Sequence, residues 1–145
     1  LSILIISLKV WLKIFLIKIY LVSYPPPTAI LPINNKLLSV YKLWHKIVED
    51  FPKKSRYSLG GKIDNLFIEI LETIFVASYL SKKDKLPFVQ KAINKMDLLK
   101  FFLLVSHEVE SLDETEYIIL SEPLFDIGRM LGGWKNRIAK ENSPA

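Results

Sequence analysis

Leu120-Ser121-Glu122-Pro123-Leu124-Phe125-Asp126-Ile127-Gly128-Arg129-Met130-Leu131-Gly132-Gly133-Trp134-Lys135-Asn136-Arg137-Ile138 is the stretch whose reading decides the fold. Its apolar residues Leu120, Leu124, Ile127, Leu131, Trp134 and Ile138 recur at alternating steps of four and three. That spacing lines one side of an α-helix and turns it toward other helices. The stretch also carries Gly128, Gly132 and Gly133. Each glycine inside a helix costs about 0.8–1.0 kcal/mol relative to alanine. Three so close together need a reason, and the expected one is close approach of a neighbouring backbone. Gly128 and Gly132 lie one turn apart and would leave a flat spot beside the stripe.

Upstream, Asp113 followed three residues later by Glu116 reads as a capping box that starts this helix. It should run to about Ala139, leaving residues 141–145 as a frayed tail. Pro123 inside it removes one backbone hydrogen bond, so a kink is expected. A second helical pattern spans about Leu86 to Glu110, with Phe88, Ala92, Met96, Leu99 and Leu103 inward and Pro87 in its first turn. Its run from Leu98 to Val105 is apolar nearly all round. One small bundle cannot cover such a helix on every side, so Phe101, Phe102, Leu104 and Val105 are the expected flank for self-association. A third pattern runs from about Ser55 to Leu80, and Ser81-Lys82-Lys83-Asp84-Lys85 reads as a charged turn after it. A fourth runs from about Asn35 to Asp50, with Asn34 or Asn35 as N-cap and Leu37, Val40, Tyr41, Trp44, Ile47 and Val48 on one face. Four helices joined by short turns give an all-α, up-down-up-down antiparallel four-helix bundle over residues 31–140.

Residues 1–30 stand apart. Residues 1–24 are long enough to reach across a bilayer as a helix. Roughly fifteen strongly apolar residues at about −0.3 to −0.6 kcal/mol each are opposed by Lys9, Lys13 and Lys18 at up to about +3 each, so insertion comes near break-even. No charge precedes the apolar run, and Val22-Ser23-Tyr24 makes a poor cleavage site. With no Met at its start, this extra hydrophobic segment reads either as an upstream extension of the reading frame or as a membrane-leaning leader. Pro25-Pro26-Pro27 makes it end in a stiff extended linker.

At 145 residues the chain supports one core. It has no cysteine, hence neither disulfides nor a thiolate metal site, which suits a cytoplasmic location. The net charge of +5 is segregated. From Lys36 to Lys62 seven basic side chains meet two acidic ones, whereas residues 101–126 hold seven acidic and no basic ones. Such a body has a basic and an acidic face, open to a polyanion, to a complementary protein surface, or only to solvent. On the outer side of the first bundle helix Lys42 and Lys46 share a stripe that Lys53 would extend if the helical turn continued, a candidate phosphate rail.

Catalytic patterns are missing. His107-Glu108 is not continued into a His-Glu-x-x-His motif, and His45 sits at the edge of an apolar helix face, the ordinary place for a boundary histidine. Neither histidine has the upstream arginine of the small helical ribonucleases. Glu69 with Glu72, and Glu108 with Glu110, lack the Glu-x-x-His repeat of a di-metal bundle. Gly60-Gly61 follows no strand and has no Gly-Lys-Ser/Thr ending, which argues against a nucleotide loop. Neither catalysis nor a metal nor a cofactor is expected.

Two segments carry a family resemblance: Phe51-Pro52-Lys53-Lys54-Ser55-Arg56-Tyr57-Ser58-Leu59-Gly60-Gly61-Lys62-Ile63 and Ile127-Gly128-Arg129-Met130-Leu131-Gly132-Gly133-Trp134. They resemble the signature stretches of the Avd-like four-helix-bundle proteins. Those are accessory proteins of diversity-generating retroelements and relatives of proteins encoded in intervening sequences of large-subunit ribosomal RNA genes. The likeness covers about Leu31 to Ile138. It implies a homopentameric, non-catalytic protein with a basic surface that binds RNA or DNA and associates with a reverse transcriptase. By motif, Leu59, Gly60, Ile63, Gly128, Gly132, Gly133 and Trp134 match structural positions, while Arg56, Lys62 and Arg129 match basic positions that serve packing or binding. Pro123 and residues 1–30 depart from the pattern, and the extension would obstruct assembly. Together with the rail, the nucleic-acid-binding set is Lys42, Lys46, Lys53, Lys54, Arg56, Lys62 and Arg129, contacting phosphate rather than bases. The other reading is a structural bundle of the intervening-sequence type with no nucleic-acid role. A membrane partner is not expected.

Overall fold

The computed structural model describes residues 2–23 and 31–144. Helix α1 spans Ser2–Ser23, and residues 3–16 on it are all exposed. Among the described residues no helix is long and apolar enough to cross a membrane. The triple-proline linker lies outside the described residues.

Helix α2 (Leu31–Ile47) buries Ile33, Leu37, Val40, Trp44 and Ile47, one side at steps of four and three. It starts four residues before the expected boundary, so Asn34 and Asn35 are not N-caps but lie in its first two turns. A 3₁₀ turn at Val48–Asp50 ends it. The residue before a proline is pushed out of the helical region, and Phe51 (φ −59°, ψ 142°) is extended ahead of Pro52. A single turn α3 (Lys53–Ser55) and a π-helical turn Arg56–Gly60 then lead into α4 (Gly61–Tyr79). Only Leu80 and Ser81 separate α4 from α5 (Lys82–Glu108). The expected charged turn is thus the first turn of α5, with Ser81 Oγ donating to Asp84 Oδ2 at 2.8 Å. Pro87 consequently falls beyond the first turn, where it was expected.

Helix α5 ends in a Schellman arrangement. Ser111 N–H donates to Ser106 O at 2.8 Å and Glu110 N–H to His107 O at 3.0 Å, with Glu110 at φ 63° in the position glycine usually takes. Helix α6 (Glu114–Glu141) opens with the expected box: Glu116 N–H donates to Asp113 Oδ1 at 2.7 Å, and Asp113 N–H to Glu116 Oε2 at 3.1 Å. It runs through Pro123 without a break. Glu141 and Asn142, which the sequence places in the tail, reach back to α5: Glu141 pairs with Lys82 at 3.4 Å, and Asn142 Nδ2 donates to Lys82 O at 2.9 Å.

All elements among the described residues are helical, with no strand. Helix α4 packs on α5, α5 on α6, α6 on α2 and α2 on α4, closing a ring of contacts round one core. All six residues of the Leu120–Ile138 stripe are buried in it. The reason expected for the α6 glycines is overturned. A Cβ at Gly132 or Gly133 would meet nothing within 4 Å, and at Gly128 only Lys100 Nζ at 3.6 Å. No neighbouring backbone of this chain comes close. The glycine that packing demands is Gly60, where a Cβ would stand 3.1 Å from Val48 Cγ2.

Candidate nucleic-acid interface

The expected basic residues separate into four groups. Lys42 and Lys46 stand exposed one turn apart on the outer side of α2, and Lys53 and Lys54 are exposed on α3 just beyond its end. None of these four forms an ion pair with a described residue. They are side chains held out in water. Arg56 is half-buried and occupied: its Nη2 donates to Glu49 O at 2.8 Å and Phe51 O at 2.9 Å. These two charge-assisted bonds take up carbonyls at the end of α2, so Arg56 pins the α2–α4 connection. Lys62 lies on the other side of α4, its Nζ 5.9 Å from the centre of the Phe102 ring on α5. Arg129 is on α6, paired with Asp126, beside a groove between α5 and α6 lined by Asp97, Lys100 and Phe125.

The α2–α4 connection is rigid by construction. Pro52 O accepts from Ser55 N–H at 3.0 Å and Arg56 N–H at 2.9 Å. Ser55 Oγ meets Ser111 Oγ at 2.8 Å in the interior, tying the connection to the turn before α6. Phe51 is 2 % exposed and stands edge-on to Trp44, ring centres 5.3 Å apart. On the adjoining α2–α4 seam Tyr41 O–H donates to Asp64 Oδ1 at 3.1 Å. His45 Nε2–H then donates to Tyr41 Oη, also at 3.1 Å. Burial, and after it the Asp64 carboxylate, holds the Tyr41 hydroxyl above the usual phenol range. His107 stacks on Tyr117, ring centres 5.0 Å apart, with Nδ1 3.2 Å from Leu112 O. Both histidines serve helix contacts. Among the described residues no group of three or more His, Cys, Asp or Glu side chains could hold a metal ion.

Sequence reasoning missed a second charged cluster. Lys95 Nζ lies 2.6 Å from Glu69 Oε2 across α4 and α5, beside a cavity of about 220 Å³ that Lys91 and Phe88 also line. The hydrogen bond from Lys95, aided by the charges of Lys95, Lys62 and Lys91, holds the Glu69 carboxyl below the usual range. The partners are 26 residues apart, and no local pattern marks them. Because the folded-state pKa is depressed, the pair stabilises above the ordinary carboxylate range and fades as pH falls through the lowered value. Solvent screens it, since 46 % of the Glu69 side chain is exposed. Glu69→Gln is therefore expected to cost at most about 1 kcal/mol at neutral pH. Urea titrations of both proteins should show that difference closing in acid. A gap that persists unchanged below the carboxylate range would rule out the charge as its source.

A family model described as bAvd-like matches residues 31–138. No curated protein matches the chain.

Proposed function

The chain belongs to the bAvd-like family, and from that membership we propose that it is a non-catalytic, cytoplasmic, nucleic-acid-binding accessory protein of a diversity-generating retroelement. On this reading residues 31–140 form an antiparallel four-helix bundle. The closed ring of helix contacts and the two- and five-residue connections α4–α5 and α5–α6 support that arrangement. Copies of the bundle assemble, as a pentamer by the family resemblance, and act with the element's reverse transcriptase.

The observation that carries the proposal is the unpaired quartet Lys42, Lys46, Lys53 and Lys54. Four other basic side chains are paired: Lys82 with Glu141, Lys95 with Glu69, Lys100 with Asp97, Arg129 with Asp126. Four exposed lysines on α2 and α3 supply phosphate contacts without sequence preference. Each phosphate neutralised releases condensed counterions and adds close to one unit to the salt dependence of binding.

Changing all four lysines to glutamine is expected to flatten the log-affinity against log-salt slope by about 3 to 4 for duplex DNA. Fluorescence anisotropy with labelled duplex DNA and structured RNA measures it. If both ligands stay unbound at micromolar protein in low salt, the nucleic-acid role is lost. If charge reversal of Lys42, Lys46 and Lys53 instead changes oligomer size, the structural reading of the intervening-sequence type takes its place. A reverse-transcriptase gene with paired template and variable repeats beside this frame would fix the retroelement branch.

A further inference from the structure

One aromatic side chain in the α2–α4 connection has no packing role. Tyr57 is 86 % exposed, the most exposed large hydrophobic side chain among the described residues. It makes no hydrogen bond or ring contact with a described residue. An exposed tyrosine on a loose loop would be unremarkable, but the backbone beneath this one is fixed from four directions. Arg56 holds the carbonyls of Glu49 and Phe51. Ser55 is bonded to Ser111 in the interior. Pro52 O takes two backbone N–H groups, and Gly60 packs closely against Val48, where a Cβ would stand 3.1 Å from Val48 Cγ2. The turn that results, Arg56–Gly60, is π-helical, a rare form concentrated at functional sites.

The surroundings of the ring match one kind of ligand. Lys53 and Lys54, four and three residues before Tyr57, are exposed and form no ion pair with a described residue. Gly61, four residues after it, faces open space: a Cβ there would meet nothing within 4 Å. Packing does not require that glycine, and its absent side chain leaves the surface beyond the ring bare. A flat aromatic face on a rigid turn, with two cations beside it, suits a base that stacks and phosphates that flank it. Inside a duplex both faces of every base are already covered by neighbouring bases, so only an unpaired nucleotide offers a face to the ring.

We infer that the Arg56–Gly60 turn is a seat for single-stranded nucleic acid, in which Tyr57 stacks on an unpaired base while Lys53 and Lys54 contact the adjoining phosphates. The inference rests on the nucleic-acid reading above and narrows it. The lysine edge alone would not distinguish single strands from duplex; Tyr57 makes the difference.

Anisotropy titrations of the full chain with labelled oligothymidylate, oligouridylate and a duplex of equal length test it. Tyr57→Ala is expected to weaken both single strands by about tenfold, to leave duplex affinity and the salt slopes unchanged, and to melt as the wild type does. Tyr57→Phe and Tyr57→Trp should keep wild-type affinity, because the ring face rather than the hydroxyl is in use. Lys53→Gln with Lys54→Gln should weaken single strands and duplex alike. Wild-type binding to single strands that survives Tyr57→Ala undiminished overturns the inference while leaving the broader reading intact. The same follows if Tyr57→Ala weakens duplex equally, or only changes oligomer size or capture of a protein partner. Failure of the wild type to bind any of the three ligands removes both.

Discussion

Trp44→Ala is expected to remove about 3–5 kcal/mol of stability, the range for deleting a fully buried large aromatic. A domain of this size is held by about 5–15 kcal/mol in total, so the variant should sit near the edge of unfolding. Trp44 is 0 % exposed and is the joint of an aromatic chain. Phe51 stands edge-on to it at 5.3 Å, Phe67 of α4 stacks at 6.2 Å, and Tyr41 leans on Phe67 at 5.4 Å. Its loss would open a cavity where α2, α4 and the connection between them meet, and Phe51 could not fill it without dragging Pro52 and the turn that follows. Trp44→Phe is the informative control. It gives up volume but also removes an indole N–H that is buried with no hydrogen-bond partner among the described residues. These effects oppose each other, so the expected cost is below about 1.5 kcal/mol. Urea denaturation followed by far-ultraviolet circular dichroism reads both. A loss under about 1 kcal/mol for the alanine variant would show that this contact does not carry the α2–α4 seam.

The parts of this fold that a sequence reader can see are those in which a residue's neighbours repeat along the chain. Leu120, Leu124, Ile127, Leu131, Trp134 and Ile138 announce a helix because burial on one side requires that period, and each is buried. Asp113 and Glu116 announce its start because both halves of a capping box lie within four residues. What stayed hidden depends on contacts between distant residues. The Glu69–Lys95 pair joins two helices at a separation of 26 residues, set by how the helices pack and not by any motif. Arg56 looks like one more cation in a basic run, and its two carbonyl partners appear only once the chain has turned at Pro52. The π-helical turn is invisible because a five-residue repeat used once leaves no period. The α6 glycines were legible as an anomaly but not as to cause. Glycines four apart flatten a helix face whether that face meets the same chain or another molecule, and in this chain no backbone comes near them.

On the reading that copies assemble, Phe101→Glu combined with Leu104→Glu is expected to give single chains while leaving each chain folded. Both side chains are already exposed, at 54 % and 40 %, so their loss removes little from the core. Phe102 and Val105, expected beside them on the flank, are half-buried and partly committed to the chain's own packing. Phe125 on α6 is 54 % exposed, with Lys100 Nζ 4.9 Å from its ring centre, and widens the flank toward α6. A second apolar surface lies elsewhere: a groove of about 440 Å³ between α2 and α4, lined by Leu38, Ile68, Leu71 and Phe75. In the closed order α2–α4–α5–α6 these surfaces fall on opposite sides of the molecule. Two unlike patches favour head-to-tail contact, in which one copy's flank enters the next copy's groove; such contacts form a ring where the rotation between copies closes and a filament where it does not. Burying an exposed phenylalanine or leucine contributes about 1.5–3 kcal/mol, and a carboxylate forced into the same contact costs several more. Light scattering should therefore give the mass of one chain. The pairing rule has a sharper consequence. Leu38→Glu with Phe75→Glu should also yield single chains, yet each variant keeps the surface the other has lost. Mixing the two should form a one-to-one dimer that grows no further, because its remaining free faces are both spoiled. A mixture that stays monomeric would rule out contact between flank and groove, and either variant dimerising alone would show that its intact patch pairs with itself.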